Sequence, residues 1–580
     1  MTPAPAGRLR DILTAVALFL ATAAFTFWQN SRVGVLWDIS YLLDTSFRIT
    51  LGQFLYKDLP FAHAPLTFLL HAAIIKLFGR VYFPHIAFAA LEAGAATVLT
   101  WRILLNLLEG NKVVILAQPE SPSLPLNQPT DGNWLLATIL AAPLTVLGIY
   151  AIYPHPIYDS DCILAILVAL YLLQRTQNRA PLNALAGAAC VLPLFFKQNI
   201  GLPFLAIAIL AVATIAIVRR LQRTSIAPQL WLCAGATAAL AAILVLIHAC
   251  GGLHNYIYWT ITFAAQRRLP GLGLILDIYR QTSLLWTLPA AIAALFLLRG
   301  NRLRGRRWTR PSAILLLAAP FLWTIAALAL TKDADDRADQ LLSLWPHLLL
   351  LAAILALYDL RPRGLATNPT INTLLPVILL ATIHGTFLSQ QLWGSTYAIW
   401  PLLTLLIAAM LAQIPTIARP LATIIAATFL LCGGLYATSL ERLSYIHLDG
   451  APTHANLPEL RGLTTPGPWI PAFEELVRFT NTEIPAGDGI LLIPGEDPFY
   501  FATGRTPQFP ILLFDPATDP YTPQQTLDQA RAHNIRWLIV TRNLQLTAPP
   551  SLDLPATIST LQQDFTPYRT LTNYNIYRRK

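Results

Sequence analysis

Charged residues are scarce in this chain. Lys, Arg, Asp and Glu make up 12% of its 580 residues, about half the share found in an ordinary soluble domain. Apolar types supply 55%, and the mean hydropathy is +0.53. A soluble globular protein of usual make-up is thereby excluded, and a polytopic membrane protein is implied. Cysteine is equally sparse: five residues, at 162, 190, 233, 250 and 432, all in or at the edges of apolar runs, none in CxxC spacing and none beside a His pair. They read as small buried hydrophobes. The polar stretch after about residue 440 has no cysteine, so it must be held by a packed core and not by disulfides. No internal repeat of 20 to 50 residues and no inverted transporter repeat is visible.

The net charge is +10, but the basic residues stand in short clusters between apolar runs. Orientation in a bilayer explains that pattern better than nucleic-acid binding, and no nucleic-acid partner is expected. A crossing needs about 20 mostly apolar residues. Runs of that kind lie near 11–29, 83–105, 134–153, 160–174, 181–196, 200–218, 229–250, 283–298, 312–330, 342–358, 371–388, 397–413 and 419–438, about thirteen in all. Lys197, between two of them, is the weakest divider. The first run follows a basic flank, as in a signal peptide, but it is long enough to span and lacks a small-residue cleavage site, so a retained helix is expected.

With the N-terminus in the cytoplasm, the cytoplasmic connections carry Arg102 and Lys112, Arg175 and Arg179, Arg219, Arg220 and Arg223, the cluster from Arg299 to Arg310, and Arg361 with Arg363. Segment 108–133 reads as a flexible cytoplasmic connector. The other side receives the polar loop after the first run, the YPHPIYDSD turn, residues 251–282, TKDADDRADQ and the C-terminal part. An integral cytoplasmic-membrane protein with an extracytoplasmic C-terminus is therefore expected.

After residue 440, WIPAFEELVRFTNT and TPQQTLDQARAHN read as helices. GILLIP, FPILLF and RWLIVT read as buried strands, and YNIYRR as a last strand. Alternating strands and helices predict a small α/β domain. The expected fold is thus mainly α: a transmembrane domain over 1–438 with an interfacial outer loop at 30–82, and an extracytoplasmic α/β domain over 439–580. That second domain shows no GxGxxG, nucleophile elbow or metal-ligand cluster, so its role reads as non-catalytic.

The most informative stretch is the first outer loop. WDISYLLDTSFRITLGQFLYKD, followed by HAPLTFLLHAAIIKLFG, has too many ionisable groups to face lipid and reads as an active-site loop. In order it carries Asp38, Gly52, Tyr56, Asp58, Pro65, Leu66, Phe78 and Gly79. This order resembles the first outer loop of the GT-C superfamily of membrane glycosyltransferases, the group that includes protein O-mannosyltransferases and lipid A aminoarabinose transferases. LPLFFKQNIGLP is similar to the Lys-Gln-x-Gly element of those enzymes. The chain departs from them where Asp38 is followed by Ile39 and not Glu, and where His63-Ala64-Pro65 replaces Lys-Pro-Pro.

The resemblance implies transfer of a sugar from a polyprenyl-phosphate-linked donor to a lipid, glycan or protein acceptor on the outer face. That chemistry needs a base beside the acceptor and cations beside the leaving phosphate. Asp38 is the expected base. Asp58 is its helper, or with Asp38 the holder of a divalent cation such as Mg2+ or Mn2+ if one is used. Lys197, Arg267, Arg268 and His63 are the expected donor-phosphate contacts. Asp44 is expected on a solvated helix face, and Asp159 and Asp161 as caps of the helix after them. His248, His347, His384 and Glu92 are expected to hydrogen-bond between helices. The alternative function is a transporter or flippase of lipid-linked glycan, which would set ionisable groups at mid-helix along a passage.

Overall fold

The computed structural model describes residues 5–110, 131–176, 179–268, 276–299, 306–331, 337, 340–359, 369–388, 398–516 and 518–580. The long apolar runs form helices: α1 (Pro5–Asn30), α2 (Leu36–Thr50), α3 (Leu66–Phe78), α4 (Phe83–Gly110), α5 (Asp131–Ala141), α6 (Tyr158–Gln174), α7 (Ala180–Phe196), α8 (Gln198–Leu221) and α9 (Ala227–Cys250). After two short helices, α10 (Leu253–Ile257) and α11 (Ala264–Arg268), come α12 (Leu284–Arg299), α13 (Thr309–Leu330), α14 (Leu344–Asp359), α15 (Ile371–Thr386), α16 (Trp400–Leu411) and α17 (Ala418–Ser439). A helix falls on every expected span. Among the described residues, six of them (α1, α4, α8, α9, α13 and α17) are long and apolar enough to cross a membrane by themselves.

Where the helices meet, small residues set the distance. A Cβ on Gly187 of α7 would stand 1.9 Å from the Leu232 carbonyl oxygen, and one on Gly235 of α9 would stand 1.9 Å from that of Ala184. The two backbones therefore touch, as in close membrane-helix pairs. Between α7 and α8 the break is one residue: Lys197 is extended, with φ −150° and ψ 115°.

The run 134–153 departs from expectation. α5 ends at Ala141, one 3-10 turn carries the chain to Thr145, and the segment to Ile157 is irregular. Pro143, Pro154 and Pro156 remove donors that a continued helix would need. Irregular backbone at this depth survives only inside protein, and Leu147, Ile149, Tyr150, Ala151 and Ile152 are all buried. Side chains satisfy its carbonyls: Ser160 Oγ donates to Ile149 O at 2.8 Å and Arg442 Nε to Ile152 O at 2.9 Å.

The first outer loop is mostly helical, and α2 carries three stripes. Leu36, Ile39, Leu43 and Phe47 enter a hydrophobic cluster with Ile470, Phe473, Leu476, Phe499 and Trp537 of the C-terminal segment. Ser40, Asp44 and Arg48, four residues apart, hydrogen-bond that segment. Ser40 Oγ lies 2.8 Å from both Gly495 O and Asp497 O, Asp44 accepts from Tyr500 and Phe501 N–H at 3.2 and 2.7 Å, and Arg48 donates to Phe509 O and Pro510 O at 2.9 and 3.1 Å. Asp38 and Tyr41 form the third stripe. The spacing of 3 and 4 residues is what places each set on one face. Asp44 is 2% exposed, which corrects the solvated face expected for it. Burial pushes its carboxyl up to about 8, against the pull of the two backbone N–H groups and Arg48.

The C-terminal segment forms helices α18 (Trp469–Glu483), α19 (Phe499–Thr503), α20 (Pro523–Ala532) and α21 (Leu554–Leu561). Strands β1 (Pro452–His454) and β2 (Thr464–Pro466) pair with each other. A four-stranded sheet runs in the order β3 (Gly489–Ile493), β4 (Ile535–Thr541), β6 (Tyr574–Arg579), β5 (Phe565–Thr570), with β3 and β4 parallel and the rest antiparallel. FPILLF, expected as a strand, is not one. It is buried, but the Arg48 guanidinium takes the carbonyls of Phe509 and Pro510 that a ladder would need.

Candidate active site

A cavity of about 550 Å³ lies where the helices meet the C-terminal segment. It falls within the range of small-molecule sites. Asp38 and Tyr41 of α2 line one wall with His63. Asp159, Lys197 and Asn199 line another, Thr260 and Ala264 a third, and Asp515, Thr518 and Leu546 belong to the C-terminal segment. Its rim is apolar toward the helices, where Leu202 and Ile261 are each 57% exposed. The wall bearing Thr260 and Ile261 is a π-helical turn, Tyr258–Phe263, an irregularity that recurs at functional sites.

Asp38 is half-buried. Tyr445 Oη donates to its Oδ2 at 3.0 Å, and His155 Nε2 lies 3.3 Å from the same oxygen. One turn along α2, Tyr41 Oη lies 2.6 Å from His63 Nδ1. The His63 ring packs on Tyr158 at 4.8 Å between centroids, and Lys197 Nζ sits 4.9 Å from the Tyr158 ring centre on its face. Lys197 and Asp159 form an ion pair with side chains 10% and 2% exposed. That corrects the capping role expected for Asp159. Asp161 is no cap either: it accepts from Thr67 Oγ1 at 2.5 Å, and the helix is capped by no side chain.

Of the residues singled out from the sequence, the structure brings Asp38, His63, Asp159 and Lys197 to one cavity. Asp58 is not with them: it is exposed, and its Oδ2 accepts from Phe54 N–H at 2.7 Å, closing its own turn. Arg267 and Arg268 end α11, whose Ala264 and Ala265 line the cavity. Their side chains lie outside the described residues. Among the described residues no group of three His, Cys, Asp or Glu side chains is placed to hold a metal ion. Asp58, engaged in its turn, does not line the cavity with Asp38.

The apolar-context groups divide. Glu92 accepts from Tyr150 Oη at 2.7 Å, and His384 Nε2 lies 2.5 Å from Tyr279 Oη. His347 is buried with Nδ1 unpartnered among the described residues. His248 lies on the exposed face of α9, contrary to expectation. None of the four lines the cavity. Sequence reasoning missed His155, Tyr445, Tyr41 and Asp515. The first stands in the YPHPIYDSD turn whose acids drew attention; Tyr445 is separated from Asp38 by 407 positions and carries no local signal.

No family model and no curated protein sequence matches the chain. Among solved structures, the chain is similar to the crystal structure of ArnT from Cupriavidus metallidurans bound to undecaprenyl phosphate, with 12% sequence identity and a TM-score of 0.43 over 99% of this chain and 98% of that one.

Proposed function

We propose that this protein is a membrane glycosyltransferase that moves a sugar from a polyprenyl-phosphate-linked donor to an acceptor at the outer face of the membrane. The observation that carries the reading is the placing of one carboxylate, Asp38, and one buried ion pair, Lys197–Asp159, on the walls of a single cavity between apolar helices and a polar α/β segment. A substrate with a hydrocarbon tail reaches such a cavity from the helix side, a hydrophilic one from the other.

In this reading the acceptor hydroxyl or amine gives its proton to Asp38 as its heteroatom bonds to the anomeric carbon. The bond from that carbon to the phosphate oxygen breaks, and its electron pair leaves with polyprenyl phosphate. Lys197 and His63 are the described groups that would donate to the departing phosphate, with Arg267 and Arg268 as further candidates. The flippase alternative needs ionisable groups along a passage. Here Glu92 is bound to Tyr150 and His71 to His85 (Nδ1 to Nδ1, 2.7 Å), away from the cavity lining, which favours transfer chemistry.

The test is transfer in proteoliposomes from undecaprenyl-phosphate-linked mannose, glucose or aminoarabinose to total membrane lipid and glycan. Asp38→Asn is expected to lower turnover by about 10²- to 10⁴-fold while undecaprenyl phosphate still binds. Full activity in that variant would remove the base.

A further inference from the structure

The Asp38 carboxylate is met by two side chains from distant parts of the chain, both at Oδ2: Tyr445 Oη at 3.0 Å and His155 Nε2 at 3.3 Å. Tyr445 is itself fixed. Its carbonyl accepts from the Thr547 N–H at 2.9 Å and the Thr547 hydroxyl at 3.1 Å, and the next residue, Ile446, forms an antiparallel bridge with Leu546. Leu546 lines the cavity and donates its N–H to Glu496 Oε1 at 2.9 Å. The segment bearing Tyr445 is thus stitched to the C-terminal sheet region.

His155 is fully buried, and among the described residues neither ring nitrogen makes a hydrogen bond: Nε2 faces Asp38 Oδ2 at 3.3 Å without the geometry of one. Its ring packs against Tyr153 at 5.5 Å, and Tyr153 meets Tyr445 edge-on at 6.5 Å. A buried polar ring with so little hydrogen bonding calls for an explanation, and the group it faces at contact distance is Asp38.

We infer that His155 and Tyr445 are positioning residues that clamp Oδ2 of Asp38, fixing the rotation of the carboxylate and leaving Oδ1 as the oxygen that takes the acceptor's proton. The C-terminal segment then completes the site through Tyr445, in addition to covering it. A base held in one orientation spares the reorientation that a free carboxylate would undergo at each turnover. The inference rests on the reading of Asp38 as the base.

Two measurements test it. Carbodiimide-driven coupling of glycine ethyl ester to Asp38, read by mass spectrometry, reports the protonated carboxyl without requiring activity. In Tyr445→Phe and in His155→Gln, labelling is expected to persist to higher pH than in the parent protein, and furthest in the double variant. For whichever of the three donors turns over, Tyr445→Phe should lower kcat by about tenfold, the scale of one hydrogen bond to a charged group, and His155→Gln by less, each with donor KM within about twofold and with the acid limb of the rate profile moved to higher pH. A merely structural role would leave that profile in place. An unchanged labelling curve in Tyr445→Phe, with an unchanged melting temperature, overturns the clamp even if Asp38→Asn is dead. Full turnover in Asp38→Asn instead overturns the base reading, and with it the inference.

Discussion

At the scale of single residues, the Lys197–Asp159 pair decides how mutations in the cavity must be read. Both groups are buried, Lys197 at 8% and Asp159 at 1% exposure. Removing one partner from a buried pair leaves an uncompensated charge and costs about 3–5 kcal/mol, whereas replacing both is far milder. Lys197→Met is therefore expected to lower the melting temperature in detergent sharply, and Lys197→Met with Asp159→Asn to recover most of it. If Lys197 also serves the leaving phosphate, the double variant will be stable and still poor in transfer. A double variant that is both stable and fully active would take Lys197 out of the phosphate site. The sequence revealed the lysine as a charge stranded between apolar runs. It could not reveal the partner, because Asp159 sits in a turn whose acids look like ordinary helix caps.

At the scale of elements, α2 organises the molecule, since its three stripes face the cavity, the C-terminal core and the C-terminal backbone. Its hydrogen-bonding stripe makes stability depend on pH. Burial raises Asp44 to about 8, Glu496 to about 8 and Asp497 to about 7. Each group holds its proton in the folded chain over a range where the unfolded chain has lost it, so the folded state binds more protons and stability falls as pH rises from about 4 to about 8. Thermal unfolding followed between pH 5 and 9 should show that decline. Asp44→Asn, which keeps an acceptor for Phe501 N–H but cannot ionise, should flatten it; a decline of equal slope would clear Asp44 of the effect. Much of this element was written in the sequence and misread. The spacing of Leu36, Ile39, Leu43 and Phe47 is helical, but the acids interleaved with it pointed to an active-site loop, with Asp44 on a solvated face. The apolar helices and β3, β4 and β6 were legible because each carries its own periodicity or continuous apolar run. β5 was not, because FTPYRT is exposed beyond its first residue, and the burial of Asp44 was not, because its partners Tyr500 and Phe501 are 456 and 457 positions away.

At the scale of the whole molecule, the geometry ties the site to one side of the helical layer and Arg10, Arg102 and Arg175 to the other. α1, 26 residues long, spans about 39 Å at 1.5 Å per residue. Near its beginning, Asp11 pairs with Arg102 at 3.3 Å. The end of α4 lies at that same level as the end of α6 and the start of α15, since Asn106 donates to Gln174 at 3.1 Å and Gln174 to Asn372 at 2.8 Å. At the other end of α1, Gln29 donates to Ala437 O at 3.1 Å, and Val33 and Val35 pack with Leu443 and Ile446 of the C-terminal segment. Arg8 and the C-terminal segment are thus separated by the length of the helix. An excess of Arg near the first level then predicts that it faces the cytoplasm. With the five native cysteines replaced, Leu552→Cys, at a side chain 94% exposed, should react with a membrane-impermeant maleimide in intact cells. Arg8→Cys, exposed at the start of α1, should react only after permeabilisation. The reverse pattern would put the cavity and Asp38 on the cytoplasmic side, where a transfer to an outer-face acceptor cannot occur, and would overturn the proposed function without any assay of the chemistry.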